Sequence, residues 1–323
     1  MTSQPDFIPN DMAMMTLPSA PSAMFQLSLE QLLEKLPPPQ KFGTEHLFGL
    51  FGGCTGMALM MLELSKMYPD VRVKGYSLGQ LAAKYVEGDR DGVNVEELMP
   101  GNFGISNEEL CFAAMKACLS GSPQDATTFV DLMVPFLTDR KREPDEKAEP
   151  FLTELVFGAA GALYLLRMVK HWVPSTAAEI DPVIKQFIDK LLQVSNHGKE
   201  FWTFAGKKYT GAAHGEIGNI TQIVLSDPSR AQQLMPQLRR LLDLQLPNGN
   251  WPVEVGVDKV SEKVQFCHGV VGIIFSLRAL REYYPAMQEE LDVAIGKAQQ
   301  VVWNEGLLCK EPSLCHGILG NAL

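Results

Sequence analysis

Two short segments of this chain carry the residue types that bind soft metal ions. They are Gln265–Gly272 (QFCHGVVG) and Leu314–Asn321 (LCHGILGN), and each contains Cys-His-Gly followed by a second glycine three positions later. Zinc favours thiolate sulfur and imidazole nitrogen, and a catalytic zinc usually keeps three protein ligands and one exchangeable position. Cys267, Cys315 and His316 would supply such an open set of ligands.

Two other interpretations of these cysteines have to be weighed. A structural zinc finger would place its cysteines in CxxC pairs within one short loop, whereas these two lie about fifty residues apart. Free cysteines also occur simply as small buried hydrophobic residues. The recurrence of Cys-His-Gly favours a metal site where two repeats meet. His268 is the alternative fourth ligand, but a site closed by four protein ligands would keep no exchangeable position, so we place it beside the ligands in a supporting role.

Glycine pairs of the form GxxG recur along the chain with a period of roughly fifty residues. The space between successive pairs accommodates two helices, and sustained alternation of apolar and polar residues is almost absent, which predicts an all-α fold. Glycine at both positions allows close backbone approach. The pairs are Gly53/Gly56, Gly158/Gly161, Gly215/Gly218, Gly269/Gly272 and Gly317/Gly320, with a degenerate copy at Gly104–Asn107.

A helical pair cannot bury its apolar face alone, so the repeats must stack. If the loops of all repeats converge at one end of a ring, Cys267 and Cys315 come together despite their separation. The open solenoid is the alternative arrangement. The helices predicted from caps and periodicity span 29–36, 77–86, 106–119, 124–135, 176–194, 230–244, 268–284 and 286–303. The segments 47–66, 154–171 and 209–225 are each predicted to be a loop that leads into a buried helix.

Composition bounds the class of protein. Hydrophobic residues make up 46% of the 323 residues, which is ample for a large core, and the net charge of −10 argues against nucleic-acid binding. The most apolar run, 47–62, is shorter than the roughly twenty residues that span a bilayer. We expect a cytoplasmic protein with no transmembrane segment and six reduced cysteines, not a disulfide framework.

The chain divides into two parts on composition. Residues 1–24 contain four prolines among small and polar residues, which predicts a flexible N-terminal arm. Residues 25–323 form the repeat domain. Within it, the charge-dense segment 139–150 is predicted to be a solvated loop.

The recurring motifs resemble the LanC-like family, the eukaryotic relatives of bacterial lanthionine synthetase cyclases. They are LFGLFGGCTGMAL, ELVFGAAGALYLL, YTGAAHGEIG, QFCHGVVG and LCHGILGN, spread over 47–321. The resemblance implies an α/α toroid of helical hairpins, seven in the family and about six here. We therefore expect the domain to be C-terminally incomplete, because the chain stops before a seventh repeat. Peripheral association with the plasma membrane, which some relatives show, is left open.

The resemblance also implies site residues and partners. It implies a central zinc bound by Cys267, Cys315 and His316, a catalytic role for His214 in GAAHG, and a glutathione contact for Lys310. The partners implied are glutathione and a peptide or protein that contains dehydroalanine or dehydrobutyrine. Relatives often carry a larger or charged residue in place of Ala159, and we expect this difference to alter the mouth of the site.

Three functions remain open at this point. The first is zinc-dependent addition of the glutathione thiolate to a dehydroamino acid, with His214 in acid–base work because histidine titrates near neutral pH. The second is a regulatory or scaffold protein that binds glutathione without turnover. The third is another α/α toroid enzyme, either a glycosidase using Glu216 and Glu254 or a prenyltransferase. The predicted ligand set speaks against this last class.

Overall fold

A computed structural model describes residues 6–11, 16, 18–90, 101–137, 151–258 and 260–323. The predicted all-α class is confirmed, since the only sheet in these ranges is a two-stranded antiparallel hairpin of β1 (Arg72–Val73) and β2 (Tyr76–Ser77). The helices are α1 (Pro21–Lys35), α2 (Gly49–Gly52), α3 (Cys54–Met67), α4 (Leu78–Lys84), α5 (Glu108–Ser120), α6 (Pro123–Met133), α7 (Ala159–Trp172), α8 (Ala177–Val194), α9 (Glu216–Ser226), α10 (Ala231–Leu242), α11 (Val270–Leu280), α12 (Gln288–Glu305) and α13 (Ile318–Asn321).

The glycine pairs fix where the first helix of a repeat begins. Helices α3, α7, α9, α11 and α13 each start at the residue after the first glycine of a pair. The second glycine lies against the loop that leads into its own helix. A methyl group on Gly218 would overlap the carbonyl oxygen of Ala212, and Gly272 and Gly320 meet the equivalent carbonyl six residues earlier. The predicted close approach of backbone at these glycines is therefore confirmed.

The two helices of a repeat differ in burial. Helices α9 and α11, which follow glycine pairs, bury residues on nearly every side, including Glu216 and Asn219 on α9. The next helix of each repeat, α10 or α12, has one buried face and one exposed face. Within each pair, α9 packs on α10 and α11 packs on α12, while α9 also packs on α11. Repeats thus stack through their first helices.

Contact density divides the chain into two compact units. One comprises Met1–Met12, Lys141–Tyr164 and Ile184–Leu323, and the other comprises Ala13–Arg140 and Leu165–Val183. The second unit contains α1 to α6, in which α3 packs on α4 and α5 packs on α6. Its loops are joined by the buried carboxylate of Glu108, which accepts hydrogen bonds from the Gly49 amide at 2.8 Å and from Thr55 Oγ1 at 2.7 Å.

The first unit contains every residue predicted to form the site. Backbone hydrogen bonds connect the loops of successive repeats in this unit. Leu155 N donates to Ala213 O at 3.0 Å, and Thr210 N donates to Val253 O at 3.2 Å. Cys267 N donates to Cys315 O at 3.1 Å. This last bond joins the two Cys-His-Gly segments directly.

The N-terminal prediction needs correction in part. Helix α1 begins at Pro21, eight residues before the predicted start, because proline is well tolerated in the first turn of a helix. Residues 6–8 are held in the first unit, where Ile8 N donates to Leu307 O at 2.7 Å and Cys309 N donates to Asp6 O at 2.9 Å. Residues 1–5, 12–15 and 17 of the predicted arm lie outside the described residues.

Most predicted helix boundaries lie within a few residues of those observed. Ser77 and Gln80 form a capping box at the start of α4. Helix α5 is capped by Asn107, whose side chain accepts the Leu110 amide. The predicted charged loop over 139–150 falls outside the described residues. Among the helices that are described, none combines the length and apolar character needed to cross a bilayer.

Candidate functional site

The loop that precedes α13 positions two of the predicted ligands. The hydroxyl of Ser313 accepts hydrogen bonds from the amides of Cys315 at 3.1 Å and His316 at 3.2 Å. Since a serine oxygen commonly caps the first free amides of a helical turn, this local motif holds the two residues in one tight turn. The backbone bond from Cys267 to Cys315 then brings the third predicted ligand to the same place.

The ligating atoms of Cys267, Cys315 and His316 all lie within 4.8 Å of one another. Cys267 is buried, whereas Cys315 and the His316 side chain are partly exposed. In the part of the chain that the structure describes, this is the only group of three or more His, Cys, Asp or Glu side chains so arranged. The structure therefore brings together the three residues that the sequence singled out.

The two thiols interact strongly. A hydrogen bond from Cys315 and the charge of His214 together lower the pKa of Cys267 to about 7, against the effect of burial. The same hydrogen bond, together with burial, raises the pKa of Cys315. One sulfur of the pair is thus ready to ionise near neutral pH. Elsewhere in the chain, burial raises the pKa of Cys118 to about 12 and that of Cys111 still higher.

These donors fit zinc. Two sulfurs and one imidazole form a soft ligand set of the composition found in open catalytic zinc sites. Both cysteines would bind the metal as thiolates, and the lowered pKa of Cys267 favours that form at neutral pH. Among the described residues, the partner of His316 Nε2 is Glu311 at 3.9 Å, a contact weak enough to leave the ring available as a ligand.

His214 forms a pair with a carboxylate that the sequence analysis missed. Glu154 Oε2 lies 2.7 Å from His214 Nδ1, and the Glu154 side chain is completely buried. Glu154 also accepts the backbone amides of Val156 at 2.9 Å and Phe157 at 2.5 Å. Because both carboxylate oxygens are held by the turn that leads into α7, the imidazole is held in a fixed orientation.

Aromatic rings surround His214. The rings of Phe204 and His214 are stacked with centroids 4.9 Å apart, and Phe157 lies 5.9 Å from Phe204 and 6.2 Å from His214. Phe157 also packs with Cys315 against a buried cluster formed by Val156, Ala213 and Cys267. The histidine is therefore part of an aromatic stack, and it is near enough to Cys267 for its charge to lower the pKa of that thiol.

His268 lies outside the group of three ligands. Its ring centroid is 5.5 Å from that of His214 and 5.0 Å from that of Tyr209. Burial, together with the charge of His214, lowers the pKa of His268 to about 4, so its imidazole is neutral at physiological pH. Its Nδ1 atom is buried and has no hydrogen-bond partner within the described residues.

Lys310 is held next to the first Cys-His-Gly segment. Its Nζ donates to Oε1 of Gln265 at 3.0 Å, and Gln265 is buried two residues before Cys267. The ammonium group is otherwise exposed, so it can meet an anionic group of a substrate.

The two carboxylates considered for a glycosidase, Glu216 and Glu254, do not form a catalytic pair. Glu216 is buried in an ion pair with Arg240 at 3.0 Å, and Glu254 contacts Lys207 at 3.4 Å.

The repeat register explains why these residues meet. The residue immediately before the first glycine of a pair is Phe157, His214, His268 or His316 in the four repeats that build the site. The register was a signal that could have identified Phe157 from the sequence. Ala159 is fully buried at the start of α7, and the effect of its small side chain on the mouth of the site stays a prediction. No sequence pattern points to Glu154, because the residue that it contacts, His214, lies sixty residues further along the chain.

Comparison with known proteins agrees with this fold. The chain matches the family described as lanthionine synthetase C-like protein over residues 46–323. Since this match covers most of its length, the chain belongs to that family, as its motifs predicted.

One solved structure and one sequence relative are similar to this chain. The solved structure of nisin cyclase is similar with a TM-score of 0.57 at 14% sequence identity, over 92% of this chain and 80% of that one. This likeness shows the predicted α/α toroid class of fold. Glutathione S-transferase LANCL1 of Danio rerio is 28% identical over 184 residues, or 52% of this chain. The match spans only 44% of the length of that relative.

Proposed function

We propose that this protein is a zinc-dependent thiol transferase that binds glutathione and adds its sulfur to dehydroalanine or dehydrobutyrine residues in peptides or proteins. The observation that carries this proposal is the placement of three ligating side chains within 4.8 Å of one another, next to a histidine oriented by a buried carboxylate. The names of the two relatives, a glutathione S-transferase and nisin cyclase, support the choice of thiol and peptide substrates.

Cys267, Cys315 and His316 would hold the zinc ion. When bound, zinc supplies the positive charge that keeps a coordinated thiol deprotonated at neutral pH. The ligands come from two loops joined by the Cys267 to Cys315 backbone bond, so this chain provides the ligand set without a large rearrangement.

His214 carries the proton in this proposal. With Nδ1 bonded to the Glu154 carboxylate, which can only accept, Nε2 is the ring nitrogen free to exchange a proton. His214 Nε2 takes the proton of the glutathione thiol. The sulfur then forms a bond to the β-carbon of the dehydroamino acid, and the π electron pair moves to the α-carbon and its carbonyl group. Nε2 returns the proton to the α-carbon, so no oxidant or further reactant is needed.

Lys310 recognises glutathione in this proposal. The tripeptide carries two carboxylates, and the ammonium group of Lys310, held by Gln265, provides an exposed positive charge near the thiol pair. Because a charged hydrogen bond to a carboxylate is stronger than a neutral one, this contact orients the tripeptide with its sulfur toward the ligands.

The proposal is tested by incubating the zinc-loaded protein with glutathione and a peptide that contains dehydroalanine, and by following the product with mass spectrometry. We expect a mass increase equal to one glutathione in the parent protein and a loss of roughly 100-fold in rate for His214→Asn. His197→Asn is the matched control, because His197 is exposed. Its φ of 57° is in the left-handed region, which asparagine tolerates and which the neighbouring Asn196 also adopts, with a φ of 49°.

A different result would support the non-catalytic alternative. If the parent binds glutathione with Lys310-dependent affinity but forms no thioether with any dehydroamino-acid peptide, the enzyme hypothesis is rejected. The chain would then be a glutathione-binding regulatory or scaffold protein.

A further inference from the structure

A continuous aromatic surface lies beside the thiol pair. It is formed by Phe157 and Phe204, whose rings are stacked at 16° and 5.9 Å and are both nearly parallel to the ring of His214. Both phenylalanines are only partly buried. We call this pair of side chains the aromatic wall.

The aromatic wall is continuous with the reacting atoms. Phe157 packs with Cys315 on the buried cluster that contains Cys267, so the apolar surface ends at the sulfurs. A substrate whose electrophilic carbon is within reach of a sulfur in this site would therefore place its neighbouring groups against these rings.

Phe204 is carried on a tight hairpin. Phe204 N donates to Lys207 O at 2.9 Å, and Lys207 N donates to Phe204 O at 3.1 Å. The two central residues, Ala205 and Gly206, have φ values of 51° and 73°. Positive φ at both positions is typical of the type I′ turn that closes two-residue hairpins. The turn therefore fixes Phe204 over His214 from a backbone element that carries no other predicted site residue.

The two substrates differ in the surface they require. Glutathione is charged, and Lys310 supplies a charge for it. The dehydroamino acid is uncharged and planar, and a peptide that carries it gains affinity by removing apolar surface from water. The aromatic wall offers such a surface and no charged group of its own.

We propose that the aromatic wall binds the dehydroamino-acid peptide and gives the protein a preference for peptides with an apolar residue next to the dehydroamino acid. This inference rests on the proposed function for the identity of the peptide. It assigns Phe157 and Phe204 a role in substrate selection, separate from proton transfer by His214.

The test measures binding without turnover. Two fluorescein-labelled dehydroalanine peptides, identical except for leucine or aspartate before the dehydroalanine, are titrated by fluorescence anisotropy with the full chain in the absence of glutathione. We expect the leucine peptide to bind about tenfold more tightly, since one well-buried apolar side chain changes affinity by about this factor. Phe204→Ala and Phe157→Ala should each reduce the ratio to roughly twofold or less.

A second variant guards against simple misfolding. Phe204→Lys places a positive charge on the wall, so we expect it to reverse the preference toward the aspartate peptide, a gain that an unfolded protein cannot produce. Phe201→Ala is the matched control, because Phe201 lies three residues from Phe204 but packs on the Arg240 guanidinium at 4.3 Å. It should keep the leucine preference of the parent.

The outcomes separate this inference from the proposed function. A parent protein with equal affinity for the two peptides, or with a preference unchanged by both alanine variants, overturns the aromatic wall as a selective surface. Another outcome is that the parent shows the leucine preference, and the alanine variants its loss, while no thioether forms in the mass-spectrometric assay. That result would support the aromatic wall as a selective surface and contradict the transferase function.

Discussion

Glu154 and His214 are paired across sixty residues, with Oε2 of the carboxylate 2.7 Å from Nδ1 of the imidazole. The pairing depends on the backbone bond from Leu155 N to Ala213 O, which places the two loops side by side. Because the carboxylate is completely buried and also accepts two backbone amides, it has little freedom to release the histidine. The fold therefore holds Nδ1 of His214 on the carboxylate and leaves Nε2 as the nitrogen that can exchange a proton.

The first prediction concerns this pair. Glu154→Gln retains the size of the side chain but removes its charge, so His214 loses the fixed orientation of its ring. We expect the turnover number for thioether formation to fall by roughly 100-fold while the KM for glutathione changes by less than about threefold. Glu154→Asp should restore part of the turnover. Glu254→Gln, which replaces a carboxylate paired with Lys207, is the control and should keep parental turnover.

The second prediction concerns the metal ligands. Elemental analysis of purified protein should find about one zinc per chain in the parent. Cys267→Ala and Cys315→Ala should each remove nearly all of it, because two ligands bind zinc far more weakly than three. Cys309→Ala is the matched control, since Cys309 is exposed and lies six residues before Cys315. A folded parent without zinc, or a cysteine variant that retains it, contradicts the predicted site.

The third prediction concerns recognition of glutathione. Lys310→Met keeps the length of the side chain and removes its charge, so the KM for glutathione should rise by about tenfold with little change in the turnover number. Lys185→Met, on the exposed face of α8, is the control. An unchanged KM in Lys310→Met would remove Lys310 from the site.

The fourth prediction concerns stability against pH. Burial raises the pKa of Glu216 from 4.5 to about 7, although hydrogen bonds from Gln237 and Trp202 and the charge of Arg240 oppose it. The folded state thus binds this proton more tightly than the unfolded chain, so stability is lost as the pH rises from about 4.5 to 7. The loss from this group is at most about 3 kcal/mol.

The variant Glu216→Gln isolates that effect, because the amide does not titrate. Urea unfolding at intervals from pH 4.5 to 8 should give a flatter stability profile for the variant than for the parent. Parallel profiles for the two proteins would show that the proton on Glu216 is not bound more tightly in the folded state.

The fifth prediction concerns the glycine pairs. Gly218→Ala places a methyl group against the Ala212 carbonyl, so it should destabilise the protein by about 2–4 kcal/mol in urea unfolding. Gly296→Ala in α12 is the matched control, because its added methyl group meets nothing within 4 Å. The control should be neutral or stabilise the protein by up to about 1 kcal/mol, since alanine favours helix more than glycine does.

The sequence was sufficient for those features that repeat. The glycine pairs found in the sequence lie at the starts of α3, α7, α9, α11 and α13, and the Cys-His-Gly segments contain the three predicted ligands that lie together. Features without a local pattern were missed. Glu154 is an ordinary glutamate in the sequence, and only the docking of its loop against the next repeat makes it the partner of His214.

The start of α1 shows the same limit on a smaller scale. Ser28 and Gln31 match a capping box, yet the helix continues through them to Pro21. A capping motif marks where a helix can begin, and the preceding residues decide whether it does. Leu29 and Leu33 are the buried residues of α1. A helix that starts at residue 29 and one that starts at Pro21 would both contain them, so the hydrophobic pattern could not distinguish the two starts.

The position before the first glycine of each pair is an exchangeable site in the protein. Its backbone is set by the glycines and by the hydrogen bonds between loops, so the side chain there can change without remodelling the loop that carries it. In four successive repeats this position holds Phe157, His214, His268 and His316. A toroid of this kind is thus a scaffold on which new ligand sets can be designed one repeat at a time, with the helices left unaltered.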